Sequence, residues 1–347
     1  MKAFFKPYTL HFKFPAGTSR GVLQEKRTHF LILEKDGFYG IGECPTLPGL
    51  SIDYRPDFET KLDEVCEYIN AGNKANALDI SDFPSIQFGL DTALQDLEQK
   101  GNKILFPGNF AEGKEGIRIN GLIWMGTKEF ITDQIKENIE AGFRCLKMKV
   151  GSLDFSAELE VLSGIRKNFP NNTLEIRLDA NGAFVPSEAL EKLKILSDYN
   201  IHSIEQPIKP GQWHIMSRLC EKSLVPIALD EELIGIKNIA IMKYLLSELK
   251  PSYIILKPSL LGGFKIAEEW LKLTNSTNTG WWITSALESN IGLNAIAQWT
   301  YSLHPALPQG LGTGKLYNNN IPSPLVVEGE YLYYKPEISW NLSSLIE

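Results

Sequence analysis

Apolar and polar positions alternate from Phe4 to Phe14, the period-two signature of a β-strand. A Gly/Ser turn at Ala16–Gly21 follows, and Thr28–Leu33 supplies a second strand. Asp36-Gly37 is a hairpin signal, with Phe38–Gly42 as the return strand. A run of turn residues from Cys44 to Ser51 leads into two segments whose apolar positions recur three and four apart, Phe58–Asn70 and Ser85–Gln99, which predict helices. Together these elements predict an α+β domain over residues 1–115, within the usual size range of about 50–250 residues.

From Ile117 the pattern changes to short β-rich runs separated by amphipathic stretches such as Glu129–Gly142 and Pro186–Tyr199. The predicted strands are Arg118–Leu122, Cys145–Val150, Leu174–Leu178, Ser203–Glu205, Pro226–Leu229, Tyr253–Leu256 and Trp281–Thr284. They recur roughly every 25–30 residues, the βα period of a parallel barrel. The expected division is a (β/α) barrel over 116–315, with segment 316–347 returning to complete the first domain. A doubly wound sheet shows the same alternation, so the strand ends must decide between the two.

Composition narrows the functional classes. Thirty-five basic against forty-two acidic residues leave a net charge of −7, which argues against a nucleic-acid partner. No apolar run approaches the length of a membrane span, and Met1–Pro15 has no apolar core of the kind a secretory leader needs. Cys44, Cys66, Cys145 and Cys220 are widely spaced, fitting neither a zinc site nor a disulfide framework, so the expected compartment is the reducing cytoplasm.

Five consecutive predicted strands finish in charge where a buried strand should stay apolar: Lys147 and Lys149, then Asp179, Glu205, Asp230 and Lys257. One charge at a strand end is ordinarily where the chain meets water, but six in succession converge on the mouth of a barrel. Asp179, Glu205 and Asp230 supply hard oxygen ligands for Mg²⁺, with Mn²⁺ able to substitute. Lys147 and Lys149, two apart on a strand, point to the same side. A partly desolvated lysine beside another cation has a lowered pKa and becomes a usable base. Arg177 shares a face with Asp179 and could orient it. The chemistry this suggests is removal of a proton next to the carboxylate of a small-molecule substrate, with the metal stabilising the charge that develops.

These residues resemble the signatures of the enolase superfamily's muconate-lactonizing branch: Leu146-Lys147-Met148-Lys149, Asp179-Ala180-Asn181, Glu205-Gln206-Pro207, Asp230-Glu231 and Leu256-Lys257-Pro258. The resemblance implies an α/β fold, a modified TIM-type (β/α) barrel with an N-terminal α+β capping domain. It also places Asn181 and Glu231 behind the metal ligands. Within the branch, Thr18-Ser19-Arg20-Gly21, Gly42-Glu43-Cys44, Leu47–Ser51 and Ser285–Gly292 are similar to the o-succinylbenzoate synthases. Dipeptide epimerases of the branch carry Asp-x-Asp near the seventh strand, and none occurs between Trp281 and Gly292.

That likeness implies Mg²⁺-dependent syn dehydration of 2-succinyl-6-hydroxy-2,4-cyclohexadiene-1-carboxylate, a step of menaquinone biosynthesis. Lys149 would take the α-proton and protonate the departing hydroxyl, Lys257 would stabilise the enolate from the opposite side, and Lys147 would tune Lys149. The alternatives are an N-succinylamino acid racemase or another epimerase of the branch, and more remotely a non-catalytic metal-binding barrel.

The remaining signals are weaker. Gly310-Leu311-Gly312-Thr313-Gly314 lacks the strand and helix that a dinucleotide loop requires and reads as a turn closing the eighth barrel unit, with a minor role beside the substrate as the other reading. His202 reads as a core or strand-start residue, and Trp281-Trp282 as barrel packing with a substrate role as the other reading. Arg20 reads equally as a solvated loop residue or a lid contact. Ser285, Ser289 and Asn290 are candidate substrate contacts, with helix capping or packing as the other reading.

Overall fold

The computed structural model describes every residue except Ser19, Arg20, Ser152 and Glu347, and leaves aside the side chains of Gly17, Thr18 and Asn76. Strands β1 (Lys2–Thr18), β2 (Gly21–Lys35) and β3 (Phe38–Pro45) form an antiparallel sheet in that order. Asp36 and Gly37 both have positive φ, 53° and 81°, as a two-residue hairpin twisting with its strands requires. Helices α1 (Phe58–Asn70) and α2 (Pro84–Glu98) cover one face, burying Leu31, Leu33, Leu62, Val65, Ile86 and Leu90 together. Strand β3 and α2 meet so closely that a Cβ on Gly42 would lie 1.8 Å from the Gly89 carbonyl oxygen.

The strand expected over 118–122 is two pieces in different sheets, β4 (Ile117–Arg118) and β5 (Gly121–Ile123). Between them the backbone changes partner: Ile119 N donates to Glu330 O and Asn120 N to Gln309 O. After β5 the chain alternates helix and strand: α3 (Lys128–Glu140), β6 (Cys145–Lys149), α4 (Phe155–Asn168), β7 (Glu175–Asp179), α5 (Pro186–Ser197), β8 (Ser203–Glu205), α6 (Trp213–Lys222) and β9 (Ile227–Leu229). It continues through α7 (Ile239–Leu249), β10 (Tyr253–Leu256), the short α8 (Pro258–Leu261), α9 (Phe264–Thr277), β11 (Gly280–Ile283) and α10 (Asn290–Ser302).

Strands β5 to β11 form one parallel sheet in sequential order. Gln309 and Gly310 close it, bridging in parallel to Ile119 and Thr284 respectively, so the glycine-rich segment stands in the eighth strand position. A side chain at Gly310 would collide with Thr284, whose Oγ1 lies 2.3 Å from its Cβ position. The hairpin of β12 (Leu325–Glu328) and β13 (Tyr331–Tyr334) pairs with β4, and Leu345 of the terminal α11 (Ser343–Ile346) packs with Phe30, Ile32 and Ile41 of the first sheet.

The apolar side chains that point outward from the barrel strands form the main core with the surrounding helices. Inside the barrel, Ala228, Ile255 and Trp282 pack together beneath the strand ends. His202 precedes β8 and stacks on Tyr253 at 5.0 Å, also beside Trp282, as expected of a strand-start residue.

Candidate active site

Strand register assembles the site. Lys149 lies opposite Asp179 in the β6–β7 ladder, and Asp179 opposite Glu205 in the β7–β8 ladder. Asp230 and Lys257 directly follow β9 and β10, so all six charged residues lie around one end of the barrel. With Gln309–Gly310 in the eighth position, β6 and β10 are four strands apart in a ring of eight, which sets Lys149 and Lys257 on opposite sides of the mouth.

The charges are buried and mutually paired. Lys147 lies 3.0 Å from Asp179 Oδ2 and donates to Glu205 Oε2. Lys149 donates to Asp179 Oδ2 at 3.0 Å and to Asn181 Oδ1 at 2.6 Å, and Lys257 donates to Asp230 Oδ2. Burial works against the ionised form of Asp179, but Lys147, Lys149 and Lys257 overcome it and hold this carboxyl far below the usual range. Burial likewise opposes the Lys147 ammonium, yet Asp179, Glu205 and Asp230 outweigh it and keep it protonated. Burial, with repulsion from Asp179 and Asp230, pushes Glu205 up to about 8 despite Lys147 beside it.

Among the described residues, no three His, Cys, Asp or Glu side chains form a group that could hold an ion. The three carboxylates follow one another around the strand ends, and each is turned to a lysine. Like charges buried this close need cations between them, and here the ammonium groups serve. In type, though not in their present arrangement, these three carboxylates suit a hard divalent cation, and Glu205 Oε1 is buried without a hydrogen-bond partner.

Neighbouring residues hold this arrangement. Asn181 adopts φ 43°, which lets its amide face both ways, accepting from Lys149 and donating to Glu231 Oε1 at 2.9 Å. Gln206 accepts from Asp230 N and Glu232 N through Oε1, tying β8 to the end of β9. Arg177 lies one layer below Asp179. Its guanidinium donates to Glu175 Oε1 and the Pro308 carbonyl and packs 4.4 Å over Trp282, so it fills the barrel interior instead of orienting Asp179.

A cavity of about 480 Å³ opens above the strand ends. Lys147, Lys149, Asp179, Asn181 and Lys257 reach it from the barrel, Leu47, Pro48 and Leu50 from the first domain, and Ser285, Ala286 and Leu287 from the loop after β11. Arg20 lies outside the described residues, although Gly21 and Val22 beside it line the cavity.

Of the other candidate contacts, only Ser285 reaches the cavity. Ser289 caps α10, accepting from Ile291 N and donating to Glu43 Oε2 at 2.6 Å. Asn290 is bonded to Asn320 and to the Ile321 carbonyl. Their packing and capping roles prevail because the loop after β11 turns into α10 at this point. Lys26 and Tyr317, which both bond the backbone of the cavity-lining Leu287, were not singled out from the sequence. The one available signal was a lysine on the same strand face as Thr28 and Phe30.

Known proteins place this chain in a family. Residues 131–335 match the enolase C-terminal domain-like family. The o-succinylbenzoate synthase of Desulfotalea psychrophila strain LSv54 is 44% identical over 96% of this chain and 98% of its own length. The crystal structure of MenC from Desulfotalea psychrophila LSv54 superposes with a TM-score of 0.86 at 41% identity, covering 96% of this chain and 99% of that one. The L-Ala-D/L-Glu epimerase of Bacillus subtilis, seen in a substrate complex, shares the fold with a TM-score of 0.82 at 18% identity, covering 98% of this chain and 97% of its own. The chain belongs to the o-succinylbenzoate synthase family of the enolase superfamily.

Proposed function

We propose that this enzyme is a dehydratase that converts 2-succinyl-6-hydroxy-2,4-cyclohexadiene-1-carboxylate to 2-succinylbenzoate, the o-succinylbenzoate synthase reaction of menaquinone biosynthesis. Near full-length similarity to a curated synthase carries this reading. The two lysines facing each other across the mouth support it chemically.

In this reading Lys149 in its neutral form removes the proton from the ring carbon bearing the carboxylate. The electron pair of that C–H bond moves toward the carboxylate. Lys149, now an ammonium on the same face, then gives the proton to the neighbouring hydroxyl, the C–O bond breaks, and water leaves as the ring becomes aromatic. Lys257 stays protonated, as its pairing with Asp230 favours despite burial, and places positive charge opposite Lys149. Lys147 holds Asp179 and Glu205 in place, and Asn181 fixes the Lys149 ammonium.

Asp179, Glu205 and Asp230 are the residues that would hold Mg²⁺, or Mn²⁺ in its place. Bound there, such a cation would act as a Lewis acid and stabilise the negative charge developing on the substrate carboxylate. The four free cysteines support a cytoplasmic location.

Opposed lysines are also what a two-base racemase of N-succinylamino acids needs, so that activity is the second reading. The test is aromatisation of the cyclohexadiene carboxylate, followed by ultraviolet absorbance with Mg²⁺, with EDTA and with Lys149→Ala. Rapid metal-dependent conversion lost in the variant is expected. Racemisation of N-succinylamino acids without dehydration would favour the second reading.

A further inference from the structure

The loop that walls the cavity after β11 is held by a side chain of the first domain. Leu287 has φ 62°, a left-handed conformation that leucine disfavours. Its carbonyl accepts two donors, Lys26 Nζ at 2.6 Å and Tyr317 Oη at 2.7 Å. Lys26 is only 2% exposed, although it sits on a strand far from Leu287 in sequence.

Carboxylates anchor the loop on either side of Leu287. Glu288 accepts from Ser285 Oγ and Ala286 N, and also from Ser259, two residues beyond Lys257. Glu43 accepts from Ser289 N, Ser289 Oγ and Gly292 N. The mechanism above uses none of these groups. Burying an ammonium is costly unless it is compensated; Glu43 and Glu288 supply opposite charge near Lys26, while its hydrogen bond goes to the Leu287 carbonyl between their anchoring contacts.

The structure assigns Lys26, assisted by Tyr317, the task of positioning: from the capping sheet it clamps Leu287 in its left-handed conformation and so fixes the Ser285–Leu287 wall against the non-reacting part of the substrate. This inference rests on the proposed dehydration. Lys26 touches neither Lys149 nor Lys257, so the clamp contributes binding that is equal in the ground and transition states. Losing it therefore raises KM and leaves kcat in place.

The test compares full-length Lys26→Met and Tyr317→Phe with Lys103→Met. Lys103 is also buried, pairs with Asp96 at 2.7 Å and lies away from the cavity. In dehydration assays with Mg²⁺, Lys26→Met is expected to raise KM about tenfold, ~1.4 kcal/mol of binding, with kcat within about twofold. Tyr317→Phe should act in the same direction, and the double variant should fall short of the product because both donors share one carbonyl. Lys103→Met should lower the melting temperature without moving KM.

Amide hydrogen exchange at residues 286–289 supplies a readout independent of substrate: faster in Lys26→Met and Tyr317→Phe, unchanged in Lys103→Met. Unchanged KM together with unchanged exchange in these two variants overturns the clamp, and if Lys26→Met does not fold, Tyr317→Phe decides alone. A wild-type protein that does not dehydrate the substrate overturns the functional reading instead, and exchange still tests the clamp.

Discussion

Lys149 and Asp179 are partners twice over: they are register neighbours in the β6–β7 ladder, and the lysine ammonium donates to Asp179 Oδ2 at 3.0 Å. The proposed base and the proposed metal ion would therefore compete for the same carboxylate. Lys147 also reaches Asp179 at 3.0 Å and pairs with Glu205, so the two lysines of one strand have different structural weight.

Replacing each lysine should separate chemistry from stability. Lys149→Ala should lower kcat by about 10²–10⁴, the range for a general acid or base, while Asp179 keeps Lys147. Lys147→Met leaves two buried carboxylates without their shared ammonium and should cost about 3–5 kcal/mol of stability. Steady-state kinetics and denaturant melts on both variants check the contrast. Equal loss of stability in the two would contradict it.

Asn181 allows a test of backbone strain at the site. Both Asn181→Ala and Asn181→Gly lose the amide that bonds Lys149 and Glu231, so each should reduce kcat, by about tenfold. Only alanine must also bear φ 43°, and it should be less stable than glycine by about 1 kcal/mol. Matched urea titrations of the two variants measure that difference.

Glu205 should show opposite effects with and without metal. Its carboxyl is pushed up to about 8 by burial and by Asp179 and Asp230, so in metal-free protein it is a poorly compensated group. Glu205→Gln should raise the melting temperature of EDTA-treated protein. It should also abolish the stabilisation that Mg²⁺ gives the wild type, about 2.7 kcal/mol at a hundredfold excess over Kd. Thermal shifts with and without Mg²⁺ read both effects. A variant that still gained stability from Mg²⁺ would count against Glu205 as a ligand.

His29 governs part of the acid sensitivity of the first domain. It is buried between Phe5 and Phe58, and burial lowers its pKa although Glu59 Oε1 lies 2.7 Å away. The unfolded chain therefore takes up this proton first, and stability falls as pH drops below about 6.5 toward the lowered folded value. Melting temperatures between pH 7 and 5 should decline less steeply in His29→Phe than in the wild type.

The sequence by itself determined the change from an α+β segment to a βα alternation near residue 117 and the chemistry of the strand ends. Side-chain direction alternates along a strand, so Lys147 and Lys149 had to share a face. A βα period also puts every strand's carboxyl end on one side, which makes Asp179, Glu205, Asp230 and Lys257 legible as one cluster. Tertiary structure alone decided partners distant in sequence. Strand β4 leaves the barrel sheet because β13 offers it an edge, and Gln309–Gly310 closes the ring in its place. Arg177 shows the limit of face arguments: it shares Asp179's side but belongs to the layer below, where Glu175 and Trp282 take its charge. Ser289 and Asn290 turn away from the cavity, and Lys26 crosses from the capping sheet to Leu287. Local periodicity specifies which way a side chain points. What it meets depends on sheet order and domain packing, which no short window of sequence contains.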